Sequence, residues 1–590
     1  MIFSIKNFYK TNLFFFAVLC IVIFALYGKS INYKITNLDD DYLIEQNVSY
    51  ISNLKNIPDF FTQSCYYSKE FPYYRPVLSI SFAIEAALFG YNTTVSHLAN
   101  IIYFILSIFC IFLLASKLNL NQTVLKFITL IMAVHPVLMS CPVWLPARND
   151  TILIIFITLS LIYFLKFAET SLTKHLFICL FMFTAALFTK ETSLLLIPVF
   201  PLALYCFGYK FSKSQTLRIF IFLIPIFAIY FILRDNAVTT VKLTSYITNY
   251  SESAKVMLTG FMTYLIKFFI PDYIPVMLYK INFSFKLLAV NLVFIIFLLL
   301  MYRYGFVRKK ILLFCSVWFV ITLLPTFLIP DYLLLFHRFV IPSAGIVIFI
   351  ADLGGNFLKK FPFTAKYFAV LFFILFPVFF SSSYVYCQRY KNPKTFWTNA
   401  YADVPHYPEA MHGFAKVLIA EHKYEQAKQL LYGALKYKYY NYLPTLAAVL
   451  IAEKNFDEAE KLLQNALDKN TENYLKYQFY LNLGNIYMNK LDFIKALEFT
   501  KISMELSPYN IKSFKQFAQI YSVSGEYKKA AEILLYLLKN DKTNTEYLSI
   551  LALLYDDLND SENALKFAAK TLSEDPENKT ALNILSKYKD

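Results

Sequence analysis

Apolar segments long enough to cross a membrane recur throughout residues 1–385, and they limit the fold more than any other feature of the sequence. A helix of about 20 apolar residues spans a bilayer. Eleven segments approach this length: 12–28, 97–116, 123–140, 150–167, 174–189, 191–208, 217–233, 286–302, 311–329, 337–353 and 365–384. Two further stretches, 77–90 and 257–270, are shorter or contain a charged residue, which favours interfacial or re-entrant helices. We therefore predict an all-α fold in which residues 1–385 form a multi-span transmembrane domain.

The charges of the loops predict an orientation for these spans. Residues 1–400 contain 33 Lys or Arg and 15 Asp or Glu, whereas residues 401–590 contain 23 and 25. If the N-terminus is cytoplasmic, the loops on that side are all basic, as the positive-inside rule requires. Eleven crossings then place the first loop, 29–76, and everything after residue 385 on the outer face. Because the excess positive charge belongs to membrane loops, we predict contact with membrane lipid and no binding of nucleic acid.

A repeat of about 34 residues organises the C-terminal part of the chain. Small residues recur at Ala415, Ala447, Gly484, Ala518 and Ala552, and again twelve residues later at Ala427, Ala459, Ala496, Ala530 and Ala564. This period is typical of tetratricopeptide repeats, in which paired helices approach closely at small side chains. We predict about five repeats over residues 405–590, joined to the membrane domain by a linker, 386–404. Their concave face is expected to hold a polypeptide or a partner protein.

Three consecutive carboxylates, Asp39, Asp40 and Asp41, follow the first span by about ten residues. A carboxylate inside the bilayer costs roughly 3 kcal/mol or more, so the triplet must lie in the wet outer loop. There a carboxylate can take a proton from an incoming nucleophile. Asp40 is the first choice for this base, with Asp39 or Asp41 as its neighbour. A solvated loop that happens to be acidic is the alternative.

Further polar residues stand at the outer ends of the spans, where ionisable groups often mark function. The candidates for binding a substrate are Arg338, Arg75, Arg148, Asp150, Lys190, Glu191, His97 and His337. Several cations around an acidic base suit a substrate that carries a phosphate, because the cations can hold the phosphate as a leaving group. Each residue also has a structural interpretation: Arg148 could pair with Asp150, Lys190-Glu191 could form a tight turn, and His97 could begin a helix. No motif indicates a metal site, although a divalent ion is compatible with the sequence.

Together these residues resemble the motifs of the GT-C class of polytopic glycosyltransferases, in particular the transmembrane and tetratricopeptide repeat-containing O-mannosyltransferases and their bacterial relatives. The matching segments are Asp39-Asp40 with Asn47, Tyr74-Arg75-Pro76, His97-Leu98-Ala99-Asn100, His135-Pro136 with Trp144, Arg148 and Asp150, Thr189-Lys190-Glu191, His337-Arg338-Phe339 with Pro342-Ser343, and Trp397. The sequence departs from the family pattern at Asp41, at Pro146-Ala147, at His337 and at Phe339. These departures bear on the sugar and the acceptor more than on the class of reaction.

The resemblance implies a glycosyltransferase that moves a sugar from a polyprenyl-phosphate or dolichyl-phosphate donor to a protein or other acceptor on the outer face. Asp40 would be its base, and Arg338, Arg75, Arg148 and Lys190 would hold the phosphate. Heavy use of Lys, Asn, Ile and Phe favours a bacterial inner membrane, with the endoplasmic reticulum as the location in a eukaryote. A non-catalytic membrane scaffold that displays the repeats is the alternative function. A transporter is disfavoured because the charges collect at one face rather than at mid-bilayer.

Overall fold

The computed structural model describes residues 2–67, 71–238, 250–277, 285–327, 335–437, 440–468, 473–539 and 544–588, and these ranges contain helices and no strand. The helices of the membrane half are α1 (Ile2–Tyr27), α2 (Asp39–Leu43), α3 (Val48–Ile51), α4 (Pro76–Phe89), α5 (Thr93–Ser116), α6 (Gln122–Ala133), α7 (Ser140–Val143), α8 (Arg148–Thr170), α9 (Thr173–Thr189), α10 (Val199–Phe207), α11 (Lys213–Ala237), α12 (Tyr250–Phe269), α13 (Phe285–Arg303), α14 (Lys309–Leu323), α15 (Val340–Lys360) and α16 (Ala365–Cys387). Residues 328 and 329, at the end of the predicted span 311–329, lie outside the described residues.

The predicted spans coincide with apolar helices. By length and composition, α1, α5, α8, α11, α14, α15 and α16, with their adjoining turns, are each able to cross a membrane. The α6 helix and Pro136–Val143 have the length and composition of a span only when taken together, and the bend of 54° between them fits a broken span or a re-entrant loop. The predicted segments 174–189, 191–208 and 286–302 are shorter apolar helices. The all-α membrane domain is therefore confirmed, while the count of eleven crossings remains a prediction.

Two helices at the edge of the bundle show which surface faces lipid. Only 6% of the residues in the apolar window of α11 are buried, and the same holds for α16. Their exposed side chains include Phe220 and Phe373. By contrast, 78% of the corresponding window of α15 is buried, at the centre of the bundle beside α6, α8 and α14. An apolar surface this continuous is stable in hydrocarbon rather than in water.

The loops between the spans gather in two groups. In the first group, the Nε atom of Arg308 lies 2.6 Å from a carboxylate oxygen of Asp352, and the same guanidinium donates to the carbonyl of Leu118 at 3.0 Å. These loops are the basic ones that the sequence assigns to the cytoplasm. In the second group, the amide of Lys34 donates to the carbonyl of Lys391 at 3.0 Å, which joins the first loop to the segment after α16. The grouping is the one expected for an odd number of crossings, and which face is outside remains a prediction.

Paired helices follow the membrane half and confirm the repeats. They are α17 (Pro393–Asp403), α18 (Pro408–Ala420), α19 (Tyr424–Ala434), α20 (Leu443–Ala452), α21 (Phe456–Asp468), α22 (Asn473–Asn489), α23 (Phe493–Leu506), α24 (Ile511–Val523), α25 (Tyr527–Leu538), α26 (Thr545–Asp557), α27 (Ser561–Glu574) and α28 (Lys579–Lys587). Five pairs, from α18/α19 to α26/α27, carry the recurring small residues at their contacts, where the alanines are buried. The α28 helix packs against both α26 and α27 and closes the solenoid.

The predicted linker, 386–404, contributes α17 to the solenoid. This helix packs against α18 and places the ring of Trp397 against Gly413. A Cβ atom at Gly413 would overlap that ring, so the contact requires glycine. The α17 helix therefore contacts both the first repeat and the core of the membrane half, and the start of the repeats at residue 405 remains a prediction.

The concave face of the solenoid is identified by contacts between repeats. The first helices of successive repeats pack directly against each other, as α20 does with α22 and α22 with α24. The second helices of successive repeats make weaker contacts, because they lie on the wider, outer curve. The first helices therefore line the inner, concave surface, which is the surface that solenoid proteins use for binding.

Candidate active site

The three aspartates of the first loop point into three different environments, and Asp40 is turned toward its own loop. Its carboxylate is buried and accepts hydrogen bonds from the amide of Thr36 at 2.7 Å, the hydroxyl of Thr36 at 2.9 Å and the amide of Leu38 at 3.0 Å. Trp144 in turn donates its indole N–H to the Thr36 hydroxyl at 3.1 Å. Burial raises the pKa of Asp40 to about 7, although the hydrogen bonds from Thr36 and Leu38 oppose this shift. The residue that the sequence favoured as the base is thus engaged in fixing the loop.

The side chains of Asp39 and Asp41 have other partners than the loop backbone that binds Asp40. Asp39 is half-buried, and the charges of Arg75 and Arg338 act on its carboxyl, although no ion pair within 4 Å joins it to either arginine among the described residues. Burial raises the pKa of the Asp39 carboxyl, while the two arginines and a hydrogen bond from Tyr66 lower it. Asp41 instead accepts a hydrogen bond from the amide of Gln46 at 2.8 Å, and it lies 3.4 Å from the ammonium of Lys512 in the repeats.

Arg75 and Glu191 form the first part of a charged cluster around Asp39. Arg75 immediately precedes α4, whose first residue is Pro76, and its guanidinium stacks 4.7 Å from the centroid of the Tyr73 ring. Its Nε atom lies 3.5 Å from a carboxylate oxygen of Glu191. The other oxygen of Glu191 accepts a hydrogen bond from the amide of Tyr74, which fixes the backbone next to Arg75. Apart from this contact with Glu191, most N–H groups of the Arg75 guanidinium have no hydrogen-bond partner among the described residues.

Lys190, Asp150, His337 and Arg338 complete the cluster. The ammonium of Lys190 lies 2.7 Å from one oxygen of Asp150, and Nε2 of His337 lies 3.7 Å from the other. That second oxygen is buried without a hydrogen-bond partner in the described part of the chain. Arg338 follows His337 in the turn before α15, and its guanidinium makes no hydrogen bond or ion pair with the residues described. It is the least committed cation of the cluster.

Arg148 and His97 lie in a separate, fully buried group. All five N–H donors of Arg148 are occupied: they bind Asn100 at 2.6 Å, Glu85 at 2.7 and 3.2 Å, Ser81 at 3.2 Å and the carbonyl of Ser96 at 2.8 Å. The ring of His97 packs edge-on against Tyr33, next to this group. Arg148 therefore has no donor free for a substrate phosphate, contrary to the expectation from the sequence. It also does not pair with Asp150, which was the structural alternative.

Glu85 is the partner of Arg148, and the sequence did not single it out as a site residue. It stands within the apolar segment 77–90, where an unpaired carboxylate would be costly. Its two oxygens receive both terminal nitrogens of Arg148, and one of them also accepts from the hydroxyl of Ser96 at 2.9 Å. The signal that could have found this pair is the coincidence of one glutamate and one arginine inside otherwise apolar helices.

An open, mostly apolar cleft borders the charged cluster at His337. Its other lining residues are Leu38, Trp144, Val276, Met277, Leu335, Phe336, Tyr390 and Phe396. The cleft therefore lies between the acidic loop, the turn before α15 and the segment that leads into the repeats.

One model of a known protein family matches part of the membrane half. Residues 75–234 match the family model described as dolichyl-phosphate-mannose-protein mannosyltransferase. The matched range contains Arg75, Asp150, Lys190 and Glu191 of the charged cluster. None of the curated proteins matches the chain.

Solved structures of tetratricopeptide repeat proteins are also similar to parts of the chain. YrrB, a tetratricopeptide protein with an unusual peptide-binding site, shares 18% identity over 32% of this chain and 97% of its own, with a TM-score of 0.24. TTC0263, a protein of Thermus thermophilus, shares 22% identity over 31% of this chain and 97% of its own, with a TM-score of 0.27. The type IV pilus biogenesis factor PilW shares 17% identity over 35% of this chain and 92% of its own, with a TM-score of 0.29. The chain is thus a multi-span membrane protein that resembles the dolichyl-phosphate-mannose-protein mannosyltransferases and carries tetratricopeptide repeats after its membrane half.

Proposed function

We propose that this protein is a membrane glycosyltransferase that transfers a sugar, mannose in the first instance, from a polyprenyl-phosphate or dolichyl-phosphate donor to a polypeptide. The observation that carries the proposal is the charged cluster in which Arg75 pairs with Glu191 and Lys190 pairs with Asp150, beside the half-buried carboxylate of Asp39. The charges of Arg75 and Arg338 act on that carboxylate. A base beside several cations is the arrangement that this transfer needs. The family match over residues 75–234 supports the same class of donor.

The donor phosphate would bind to Arg338, Arg75 and Lys190. A guanidinium presents a planar fork of donors to phosphate oxygens, and such charge-assisted contacts are among the strongest hydrogen bonds in proteins. Negative charge grows on the phosphate as the glycosidic bond breaks, so cations held there stabilise the transition state. Arg338 is first among them because its guanidinium makes no hydrogen bond or ion pair among the described residues. Arg148 is left out because its donors are all occupied.

We assign the base to Asp39 rather than to Asp40. A base must accept a proton from the acceptor hydroxyl within hydrogen-bond reach, with an oxygen that is free to do so. The oxygens of Asp40 already accept three groups from Thr36 and Leu38, whereas Asp39 faces the cluster where the phosphate would lie. Asp40 then acts by holding the loop that presents Asp39.

The lipid part of the donor would enter through the apolar cleft beside His337. A polyprenyl chain needs an apolar path from the membrane to the phosphate site, and this cleft is lined mainly by apolar and aromatic side chains. The first isoprene units would lie along this open cleft. The remainder of the lipid would stay in the bilayer against the exposed surfaces of the bundle.

The acceptor polypeptide would reach Asp39 along α18, the first helix of the first repeat. Glu409 on this helix lies close enough to Asp39 that the negative charge of Asp39 adds to burial in raising the pKa of Glu409 to about 7. Lys416, further along the same helix, is exposed. This part of the concave face therefore borders the proposed site. By the same proposal, the site and the repeats lie on the periplasmic or luminal side of the membrane.

The proposal is tested with the purified protein in lipid nanodiscs, radiolabelled polyprenyl-phosphate mannose and a library of Ser- and Thr-containing peptides. Transfer of label to peptide by the wild type, and its loss in Asp39→Asn, is the expected result. The matched control is Asp59→Asn, which changes a carboxylate of the same loop that pairs with Tyr50. If the wild type transfers no sugar from any polyprenyl-phosphate donor, the scaffold function takes the place of the enzyme.

A further inference from the structure

The side chain of Gln46 joins the acidic loop to the repeats. Its amide oxygen accepts hydrogen bonds from the hydroxyl of Tyr477 at 3.0 Å and from the amide of Asn510 at 2.7 Å. Its amide nitrogen donates to Asp41 at 2.8 Å, in the same loop as Asp39. Gln46, Tyr477 and Asn510 are each at least nine-tenths buried. A buried amide with its oxygen fully used is a specific contact, because removal of one donor leaves a polar atom unsatisfied.

Three further contacts surround this amide. The rings of Tyr50 and Tyr509 stack with centroids 3.9 Å apart and planes inclined by 26°. The carboxylate of Asp41 meets Lys512, and the amide of Gln478 donates to the hydroxyl of Tyr42 at 3.4 Å. Apolar, charged and neutral polar contacts therefore all join the same two surfaces.

On the side of the repeats, every one of these contacts comes from α22 or from the start of α24 and the two residues before it. Both are first helices of repeats, so the acidic loop lies on the concave face of the solenoid. This part of the concave face is occupied by the chain itself. An acceptor polypeptide on the concave face would have to lie toward α18 and α20 instead.

The loop needs such external support. The described part of residues 29–76 forms only two short α-helices, α2 and α3, together with short 3-10 turns. Such short helices are not stable by themselves and depend on packing against other elements. One side of the loop rests on the bundle, through Trp144 and Thr36, and the other side rests on the repeats through Gln46.

We propose that the repeats complete the active site by holding the acidic loop, with Gln46, Tyr477 and Asn510 as positioning residues for Asp39. The catalytic part of this statement rests on the function proposed above. By this proposal the repeat domain does not only bind the acceptor polypeptide. It also fixes the distance between Asp39 and the cations. Loss of the Gln46 contacts should loosen the loop and slow the transfer step, while the phosphate site on the bundle stays intact.

The test uses Asn510→Asp in the full-length protein. Oδ1 of Asn510 caps α24 by accepting the amide of Lys512 at 2.9 Å, and an aspartate keeps this cap. The substitution removes only the amide donor and turns a carboxylate oxygen toward the oxygen of Gln46. Asn544→Asp is the matched control, since Asn544 caps α26 in the next repeat through the amide of Tyr547 at 3.0 Å. Tyr477→Phe removes the second donor without a change of charge, with Tyr487→Phe on the same helix as its control.

The effect of these substitutions is followed by two measurements, hydrogen exchange and the transfer assay. Hydrogen exchange at the amides of Ile44 and Asn47, which bond to Asp40 and Ile44 inside the loop, should be roughly tenfold faster in Asn510→Asp and unchanged in Asn544→Asp. The transfer assay should show a lower kcat with an unchanged KM for the lipid donor, because Arg338 and Lys190 of the phosphate site lie on the bundle and Glu191 holds Arg75 in place. Wild-type exchange in both Asn510→Asp and Tyr477→Phe would overturn the proposal, and so would a faster-exchanging loop with wild-type kcat.

These outcomes are separate from those of the proposed function. If the wild type transfers no sugar while the exchange of the loop still responds to Asn510→Asp, the glycosyltransferase assignment fails and the contact between loop and repeats stands. If Asp39→Asn abolishes transfer while Asn510→Asp changes neither exchange nor kcat, the assignment stands and the positioning role fails.

Discussion

Arg148 on α8 and Glu85 on α4 form an ion pair in which Glu85 is partly buried, with both terminal nitrogens of the guanidinium within 3.2 Å of the carboxylate oxygens. Arg148 is fully buried, so this pair joins two helices inside the bundle. An arginine used in this way stabilises the fold, whereas Arg338 makes no such contact among the described residues and is the arginine to which the proposed function assigns the phosphate. The two arginines, which look equivalent in the sequence, should therefore respond differently to substitution.

Arg148→Met should destabilise the protein. Removal of one member of a buried ion pair leaves the other charge unpaired and costs about 3–5 kcal/mol. The double variant Arg148→Met with Glu85→Gln should recover part of this loss, because no unpaired charge remains. Thermal unfolding in detergent measures both effects. Equal stability of wild type and Arg148→Met would contradict the structural role.

Arg338→Lys should impair use of the donor without a loss of stability. Lysine keeps the charge but not the planar, two-pronged contact with phosphate, so we expect kcat/KM for the lipid donor to fall on the order of tenfold or more. Arg389→Lys is the control, since Arg389 pairs with Asp403 near the repeats at 3.4 Å. Normal donor kinetics in Arg338→Lys would remove Arg338 from the phosphate site.

The three aspartates of the first loop should separate by function. Asp39→Asn removes the proposed base and should reduce transfer by a factor on the order of 10²–10⁴, with the protein folded as before. Asp40→Asn should instead loosen the loop, because an amide cannot accept all the hydrogen bonds of Thr36 and Leu38. Asp41→Asn should have the smallest effect. Initial rates and hydrogen exchange on the three variants distinguish these cases, and wild-type transfer by Asp39→Asn would reject the assignment.

The rate of transfer should depend on pH through Asp39. A general base works when deprotonated, so the rate falls as pH decreases through its pKa. The ordinary pKa of an aspartate is about 4. Burial raises the pKa of Asp39, so the loss of rate at low pH should begin at a higher pH than it would for an ordinary aspartate. Arg75 lowers the pKa of Asp39, so Arg75→Gln should move the limb to higher pH. A profile of kcat/KM against pH checks the direction, and a shift to lower pH would contradict it.

Residues 393–590 should fold alone as a helical solenoid, because repeats obtain stability from their neighbours. The segment must include α17, since Trp397 packs against Gly413. Ala530 is fully buried between helices, so Ala530→Leu should cost about 1–3 kcal/mol through overpacking. Circular dichroism during urea unfolding tests both statements. If the isolated segment shows no cooperative helical transition, the solenoid depends on the membrane half.

The sequence by itself determined the architecture, because the signals for it are local. Segments of span length are apolar whatever they pack against, and the small residues from Ala415 to Ala564 keep their register wherever the solenoid lies. The sequence also selected the polar residues that stand out from their apolar surroundings. These inferences depend on composition and spacing, which need no knowledge of contacts between distant segments.

Only the tertiary structure decided what each polar residue does. The neighbouring aspartates have almost the same sequence context but different partners. Asp40 accepts hydrogen bonds from Thr36, and Asp41 lies beside a lysine of the repeats. The carboxyl of Asp39 is instead under the influence of the cations. Arg148 donates a hydrogen bond to Glu85, 63 residues away in the chain, and Gln46 accepts one from Asn510, 464 residues away. The role of a charged group depends on its partners and its burial, and both are set by the packing of segments that lie far apart in the chain.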